Sequence, residues 1–220
     1  MKIIDIRERR KSLFGILFDE EINPALWGGD SDATGWLALD SELCSLEQLK
    51  IGTELSDEEL TSLIVKSHIK RAKSRAMWYI SQSDHSKNAL IKKLSAAFPD
   101  YAAEAAAERM EELGLINDTA YAERRIQRLL NEKSVSLKMA THMLEAEGID
   151  RETARLAAES TEYDALAMLT NILERKYIGR LKNQKDVDRM MSALLRKGFS
   201  YSEIKEALKE NEIETKFNEE

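Results

Sequence analysis

The sequence predicts a mainly α-helical chain of stacked helical units, preceded by a small β-containing region. Three observations predict it. First, Leu144 through Gly148 and Ile149 to Ala157, and Leu194 through Gly198 and Phe199 to Ala207, repeat one pattern 50 residues apart. In each, an apolar-periodic segment stops at glycine, one apolar residue follows, and a polar residue (Asp150, Ser200) opens the next segment. Fixed-period recurrence marks stacked supersecondary units. Second, helix starts recur: Ser56-Asp57-Glu58-Glu59 and Ser200-Tyr201-Ser202-Glu203 are capping boxes, and Asn117-Asp118 and Asp150 are good openers. Third, Gly114, Gly148 and Gly198 fit the left-handed residue past a helix end, with Leu115, Ile149 and Phe199 as the apolar contact that accompanies it.

Residues 1–55 read as a separate β-containing region. Ile4 and Ile6 alternate with charges, Leu13–Phe18 is a dense apolar run, and Trp36–Leu39 is a third. Short apolar runs bounded by turn residues suggest strands, the first two as a hairpin. Gly28 to Gly35 is a loop by composition. From Ser56 to about Gln82 the pattern is helical without Gly or Pro, as one long helix or two. Further helices are expected at 86–97, 100–113, 118–131, 135–147, 151–160, 163–180, 185–197 and 201–210. Grouped by the recurrence, the helices form three units of three. The boundaries are a lead-in helix at 56–69, repeats at 70–115, 116–161 and 162–212, and a frayed acidic tail at 213–220. In the middle helix of the third unit, Val187, Met190, Met191, Leu194 and Leu195 share one face and Lys185, Arg189 and Arg196 another.

Composition narrows the function classes. The 220 residues are 43% hydrophobic and 33% charged, which suits a soluble helical protein. No apolar run approaches the ~20 residues that cross a bilayer, and the N-terminus does not read as a secretory signal. A single cysteine, Cys44, excludes an intrachain disulfide and reads as a half-buried structural thiol in a cytoplasmic protein. The net charge of −7 resides in residues 1–69, with 7 basic against 14 acidic residues. Segments 66–93 and 165–200 are locally basic, with 8 basic residues each against one and three acids. Such faces meet a phosphate backbone or an acidic protein surface. No phosphate-cradling loop is visible, and His68, His85 and His142 lack partners at metal-ligand spacing. The tyrosines at 79, 121, 163 and 177 fall mostly on apolar stripes, which favours core packing over base stacking. The reading is therefore of a non-enzymatic protein without cofactor or metal.

Four segments resemble one family. Ala76-Met77-Trp78-Tyr79-Ile80-Ser81 is similar to an Ala-Leu-x-x-Leu-x segment, and Ser86–Leu94 to Ser-x-x-Glu-Leu-x-x-Lys-Leu. Leu113–Ala122 is close to Leu-x-x-Gly followed by two apolar residues, Asn/Asp-Asp and an aromatic before Ala. Lys197-Gly198-Phe199-Ser200 with Ile204 is similar to Arg-Gly-Phe-Ser before a last helix. In this order and spacing the segments resemble the RecX regulatory proteins, bacterial modulators of the recombinase RecA. Departures are Asp19-Glu20-Glu21 at the usual Asp-Gly-Glu hairpin tip, His85 before the first repeat's Ser, Ser136 where a Gly often opens the second repeat, and the acidic overall charge.

The resemblance implies three tandem helix-turn-helix-like units in an elongated, curved monomer, acting in recombination and DNA repair. It implies docking into the groove of the RecA–ssDNA filament, with inhibition of filament growth, ATP hydrolysis and strand exchange, and room for a weak direct DNA contact. The candidate partner-binding residues are Lys87, Lys92 and Lys93; Arg124, Arg125 and Arg128; and Arg175, Lys176, Arg180, Lys185, Arg189 and Arg196. Each would pair with RecA carboxylates or filament phosphates, against the plain alternative of a solvated helix face. Two other readings stay open: a helix-turn-helix DNA-binding regulator, and a generic helical scaffold. The third helices, beginning at Tyr101, Arg151 and Tyr201, are too acidic or apolar for convincing base readout.

Overall fold

The computed structural model describes residues 1–9, 12–22 and 35–211. The expected loop at 28–35, except Gly35, and the acidic tail at 213–220 lie outside them. The chain divides into two compact units, Met1–Ile116 and Asn117–Glu220.

The first unit begins with a three-stranded antiparallel sheet in the order β1 (Ile3–Arg9), β2 (Leu13–Phe18), β3 (Leu37–Asp40). The register runs from Ile3 opposite Phe18 to Arg9 opposite Leu13, and from Leu13 opposite Asp40 to Ile16 opposite Leu37. The expected hairpin is present, but its turn is not at Asp19-Glu20-Glu21. It lies between Arg9 and Leu13, with Ser12 left-handed at φ 57°. The acidic triplet follows β2 instead. There Asp19 accepts from the Lys2 backbone N–H at 2.7 Å and ties the strand end down.

A short helix that the sequence reading missed, α1 (Ser41–Leu46), turns directly out of β3. Its cap is Asp40, whose carboxylate accepts from the Leu43 N–H at 3.0 Å. Asp40 is also held by α2 (Asp57–Gln82): its N–H donates to Ser67 Oγ at 2.9 Å, and Lys70 Nζ sits 2.8 Å from its carboxylate. A buried carboxylate is tolerable only with such partners. Cys44 is buried beside it, not half-buried as expected. Burial first, then the Asp40 charge, pushes its thiol pKa up to about 11.

Helix α2 settles the open question at 56–82, because it is one continuous helix. The capping box at Ser56 and Glu59 starts it, with bonds of 3.2 and 2.8 Å. Its two halves face different cores. Leu60, Leu63 and Ile64 join Ile3, Ile16, Phe18, Leu37 and Leu39 under the sheet. Ala72 and Ala76 join Leu90 and Leu94 of α3 (Lys87–Ser95) and Ala102, Ala103, Ala106 and Ala107 of α4 (Asp100–Glu112). The expected lead-in helix and the first helix of the first repeat are therefore two segments of α2.

The second unit holds α5 (Asp118–Arg128), α6 (Leu137–Ala146), α7 (Arg151–Glu159), α8 (Ala165–Lys176), α9 (Gln184–Arg196) and α10 (Tyr201–Glu210). They form the second and third three-helix repeats, with separate cores around Ile126, Leu129, Leu144 and Ile149, and around Leu173, Met190, Leu194 and Phe199. Asn117 rather than Asp118 caps α5, accepting from the Ala120 N–H; Asp118 sits in the first turn, where an acid favours the helix dipole. A π-helical turn at Leu129–Lys133, which apolar spacing does not signal, extends α5. Helix α8 stops at Lys176, so Arg180 lies beyond the helix expected to reach it. On α9, Val187, Met190 and Leu194 are buried as expected, whereas Leu195 is exposed.

The glycine turns carry most of the expected geometry. The N–H groups of Leu115, Ile149 and Phe199 each bond to the carbonyl five residues back, at Met110, Leu144 and Leu194, which closes the helix ends. Ile149 and Phe199 then plug their cores as expected. Leu115 does not: it is 43% exposed and Ile116 is buried in its place. Gly114 ends the third helix of a repeat, where the chain leaves that repeat, so its follower has no third helix to pack under. Gly198 has a second role. Its φ is +89°, and a Cβ there would lie 2.5 Å from Ser136 Oγ and 2.6 Å from Met139 Cβ. The start of α6 thus rests on the turn after α9. The Ser136 N–H donates to the Lys197 carbonyl at 2.9 Å, and the Lys197 ammonium donates to the Lys133 and Ser134 carbonyls.

Two measurements check these assignments. Gly114→Ala, with open space around it, should cost about 1–2 kcal/mol in urea unfolding from backbone strain alone. Gly198→Ala should cost about 1–3 kcal/mol more, because it also overpacks the α6 contact. In thiol-labelling kinetics, Cys44 should react only slowly in the folded chain at neutral pH and rapidly after unfolding.

Candidate partner-binding surface

The twelve basic residues chosen from the sequence fall into two structural groups. Ten are exposed: Lys92 and Lys93 on α3, Arg124 and Arg128 on α5, Arg175 and Lys176 at the end of α8, Arg180 beyond it, and Lys185, Arg189 and Arg196 on α9. Helical spacing puts Arg124 with Arg128, and Lys185 with Arg189 and Arg196, on common faces. Arg189 also lies 3.5 Å from Asp186 of its own helix. The remaining two are half-buried and hold their own repeats together. Lys87 bridges α3 to α4 through Glu111 at 2.7 Å. Arg125 bridges α5 to the end of α6, its Nε donating to both Glu147 carboxylate oxygens at 2.9 and 3.2 Å. That hydrogen-bonded pairing, against a smaller burial effect, raises the Arg125 pKa. Both were expected to be exposed. The difference arises because a basic residue one position away from an exposed one turns about 100° toward the neighbouring helix.

The structure adds features that basic spacing did not single out. Lys197, in the Lys-Gly-Phe-Ser segment, clamps the end of the π-helical turn, and burial followed by the Lys176 charge lowers its pKa. Within the second unit an open groove of about 1080 Å³ runs between repeats two and three. Leu137, Met139, Tyr163, Leu195 and Phe199 give it an apolar floor, and Lys138, Glu145, Arg155, Glu159 and Glu203 a margin of mixed charge. On α2, Trp78 is 51% exposed beside Arg75. The exposure of Trp78 and Leu195 was not legible from apolar periodicity, because neighbouring helices decide which apolar residues are covered.

The three histidines have ordinary neighbours. His68 is buried with Nδ1 2.5 Å from the Tyr101 hydroxyl, His85 lies against Tyr79 and Lys93, and His142 is 3.8 Å from Glu145. Among the described residues no group of three or more His, Cys, Asp or Glu side chains could hold a metal ion. Among them, too, no helix is long and apolar enough to cross a membrane.

No family model matches the chain. Curated relatives do. The chain is 27% identical over 176 residues to the regulatory protein RecX of Clostridioides difficile, covering 79% of this chain and 83% of that protein. It is 24% identical over 217 residues to the regulatory protein RecX of Clostridium acetobutylicum, covering 94% of each. The chain is a relative of the RecX regulatory proteins. The resemblance carried by the four sequence segments holds, and it extends over the N-terminal region as well. Solved structures show the same fold. A regulatory protein RecX superposes with a TM-score of 0.60 at 20% identity, covering 93% of this chain and 98% of that one. RecX from Lactobacillus salivarius superposes with a TM-score of 0.56 at 22% identity, covering 67% and 98%.

Arg125→Ala should lower stability by about 1–2 kcal/mol in chemical denaturation, since it removes a half-buried two-bonded ion pair and leaves Glu147 unpaired. Arg124→Ala and Arg128→Ala should each stay within about 0.5 kcal/mol of the parent chain.

Proposed function

We propose that the protein is a non-enzymatic regulator of RecA, which binds RecA and the groove of the RecA–ssDNA filament and limits filament growth, ATP hydrolysis and strand exchange. The observation that carries this reading is the shared architecture: tandem three-helix repeats and an N-terminal sheet that match a solved RecX structure over 93% of the chain. The relatives' name, regulatory protein, supports a controlling rather than catalytic role.

The physics of repeats favours a repeating target. Each repeat carries exposed cations on a helix face that its own core does not use: Lys92 and Lys93, then Arg124 and Arg128, then Lys185, Arg189 and Arg196. Single exposed ion pairs contribute little, about 0–1 kcal/mol each. Several spread over linked units add through effective concentration, which suits a filament presenting equivalent sites. Lys87 and Arg125 take no part in this surface, since their charges are satisfied within the repeats. Base readout by a helix-turn-helix has less support. In the middle of α7, Arg155 is held by Glu152 and Glu159 of its own helix, and α10 opens on a capping box with Glu203.

The test is RecA's ssDNA-dependent ATPase at substoichiometric amounts of this protein, with RecA from a closely related bacterium. Hydrolysis should fall, and an unchanged rate would remove RecA regulation from consideration. Arg124→Glu with Arg128→Glu should raise the amount needed for half-inhibition by roughly threefold or more, with the melting curve unchanged. Equal potency would exclude the α5 face from the surface.

A further inference from the structure

The C-terminal end of α2, the turn after it and the start of α3 build one aromatic and cationic patch. Arg75 lies 5.5 Å over the Trp78 ring. The Trp78 and Tyr79 rings meet edge-on at 5.2 Å, and Tyr79 meets His85 edge-on at 6.3 Å. Lys93 Nζ lies 5.2 Å over the Tyr79 ring and 3.4 Å from His85 Nε2. Tyr79 is half-buried against the first repeat's core, so the sequence expectation of packing is half right. Its neighbour Trp78 is the departure, exposing half its surface.

A half-exposed tryptophan without apolar cover loses the burial that normally holds that side chain. Here it is flanked by cations. Among the described residues, Arg75, Lys92 and Lys93 join no ion pair, and segment 66–93 carries 8 basic residues against the single acid Asp84. Exposed π-faces interleaved with unneutralised cations are the elements of a base-stacking site, where rings take bases and cations track phosphates. An acidic protein surface would use the cations and leave the Trp78 face idle. A duplex would hide the bases from it.

We infer that Arg75, Trp78, Tyr79, His85 and Lys93 form a direct binding site for single-stranded nucleic acid on the first repeat. Trp78 offers the stacking face. Arg75 and Lys93 contact the phosphates on either side of it. The positioning comes from the fold: α2 presents Arg75 and Trp78 one turn apart, and the tight turn at Ser83–Ser86 returns α3 so that Lys93 covers Tyr79.

The test uses the full chain without RecA, so its outcome is independent of the regulatory reading. Fluorescence anisotropy of a labelled oligothymidylate of roughly 20 nucleotides should report binding at low salt that weakens as salt rises. Trp78→Ala should weaken binding roughly tenfold or more, and Trp78→Phe should retain most of it. Lys93→Glu should weaken it comparably, while Arg124→Glu on α5 should change it little. Circular dichroism of each variant should match the parent. Absence of binding, unchanged affinity in Trp78→Ala, equal affinity for a duplex of the same length, or full competition by polyglutamate would each overturn the site.

Discussion

The burial of apolar stripes that no single helix can cover underlies this structure. Each repeat solves it by returning the chain sharply after its second helix, so that a third closes over the first two. In the second and third repeats that return is a left-handed glycine followed by Ile149 or Phe199. The hydrogen bond from the follower to the carbonyl five residues back fixes the turn, and the follower's side chain fills the core beneath it. The first repeat reaches the same end through Phe98-Pro99, where Pro99 starts α4 without a side-chain cap and buried alanines let α4 approach α2 and α3 closely. The seat of Ser136 and Met139 against Gly198 shows the turn serving also as the joint between adjacent repeats.

Charge is divided between cohesion and presentation. Lys70, Lys87, Arg125 and Lys197 are turned inward, bound to Asp40, Glu111, Glu147 and two backbone carbonyls. Their neighbours on the same helices face solvent. The proposed docking through many weak contacts would depend on this separation. A cation already satisfied within the protein gains little from a partner, and one left exposed costs the fold almost nothing.

Most of the helical architecture was legible in the sequence, because it is specified locally. Capping boxes at Ser56 and Ser200, caps at Asn117 and Asp150, and glycines after α6 and α9 mark helix ends through bonds spanning a few residues. What escaped was set by contacts remote in sequence. The six-residue α1 exists because Asp40 is pinned by Ser67 and Lys70 of α2. The hairpin of the first two apolar runs was legible, but the acidic triplet that the resemblance places at a hairpin tip follows β2, where Asp19 accepts from the Lys2 N–H. The candidate surface was legible as charge spacing but not as exposure, which is why Lys87 and Arg125 were grouped with residues that point the other way.

By itself, the sequence determined most helix starts and ends after Ser56, the three-repeat frame and the RecX resemblance. Those follow from local hydrogen-bond chemistry and from the period of apolar residues, both written into consecutive positions. Only the tertiary structure decided which side of each helix is covered. It made α2 a single rod shared by two cores, buried Cys44 beside a carboxylate, and left Trp78 uncovered between Arg75 and Tyr79. The reason is that a residue's burial depends on what packs against it, and the packing partner lies tens of residues away along the chain.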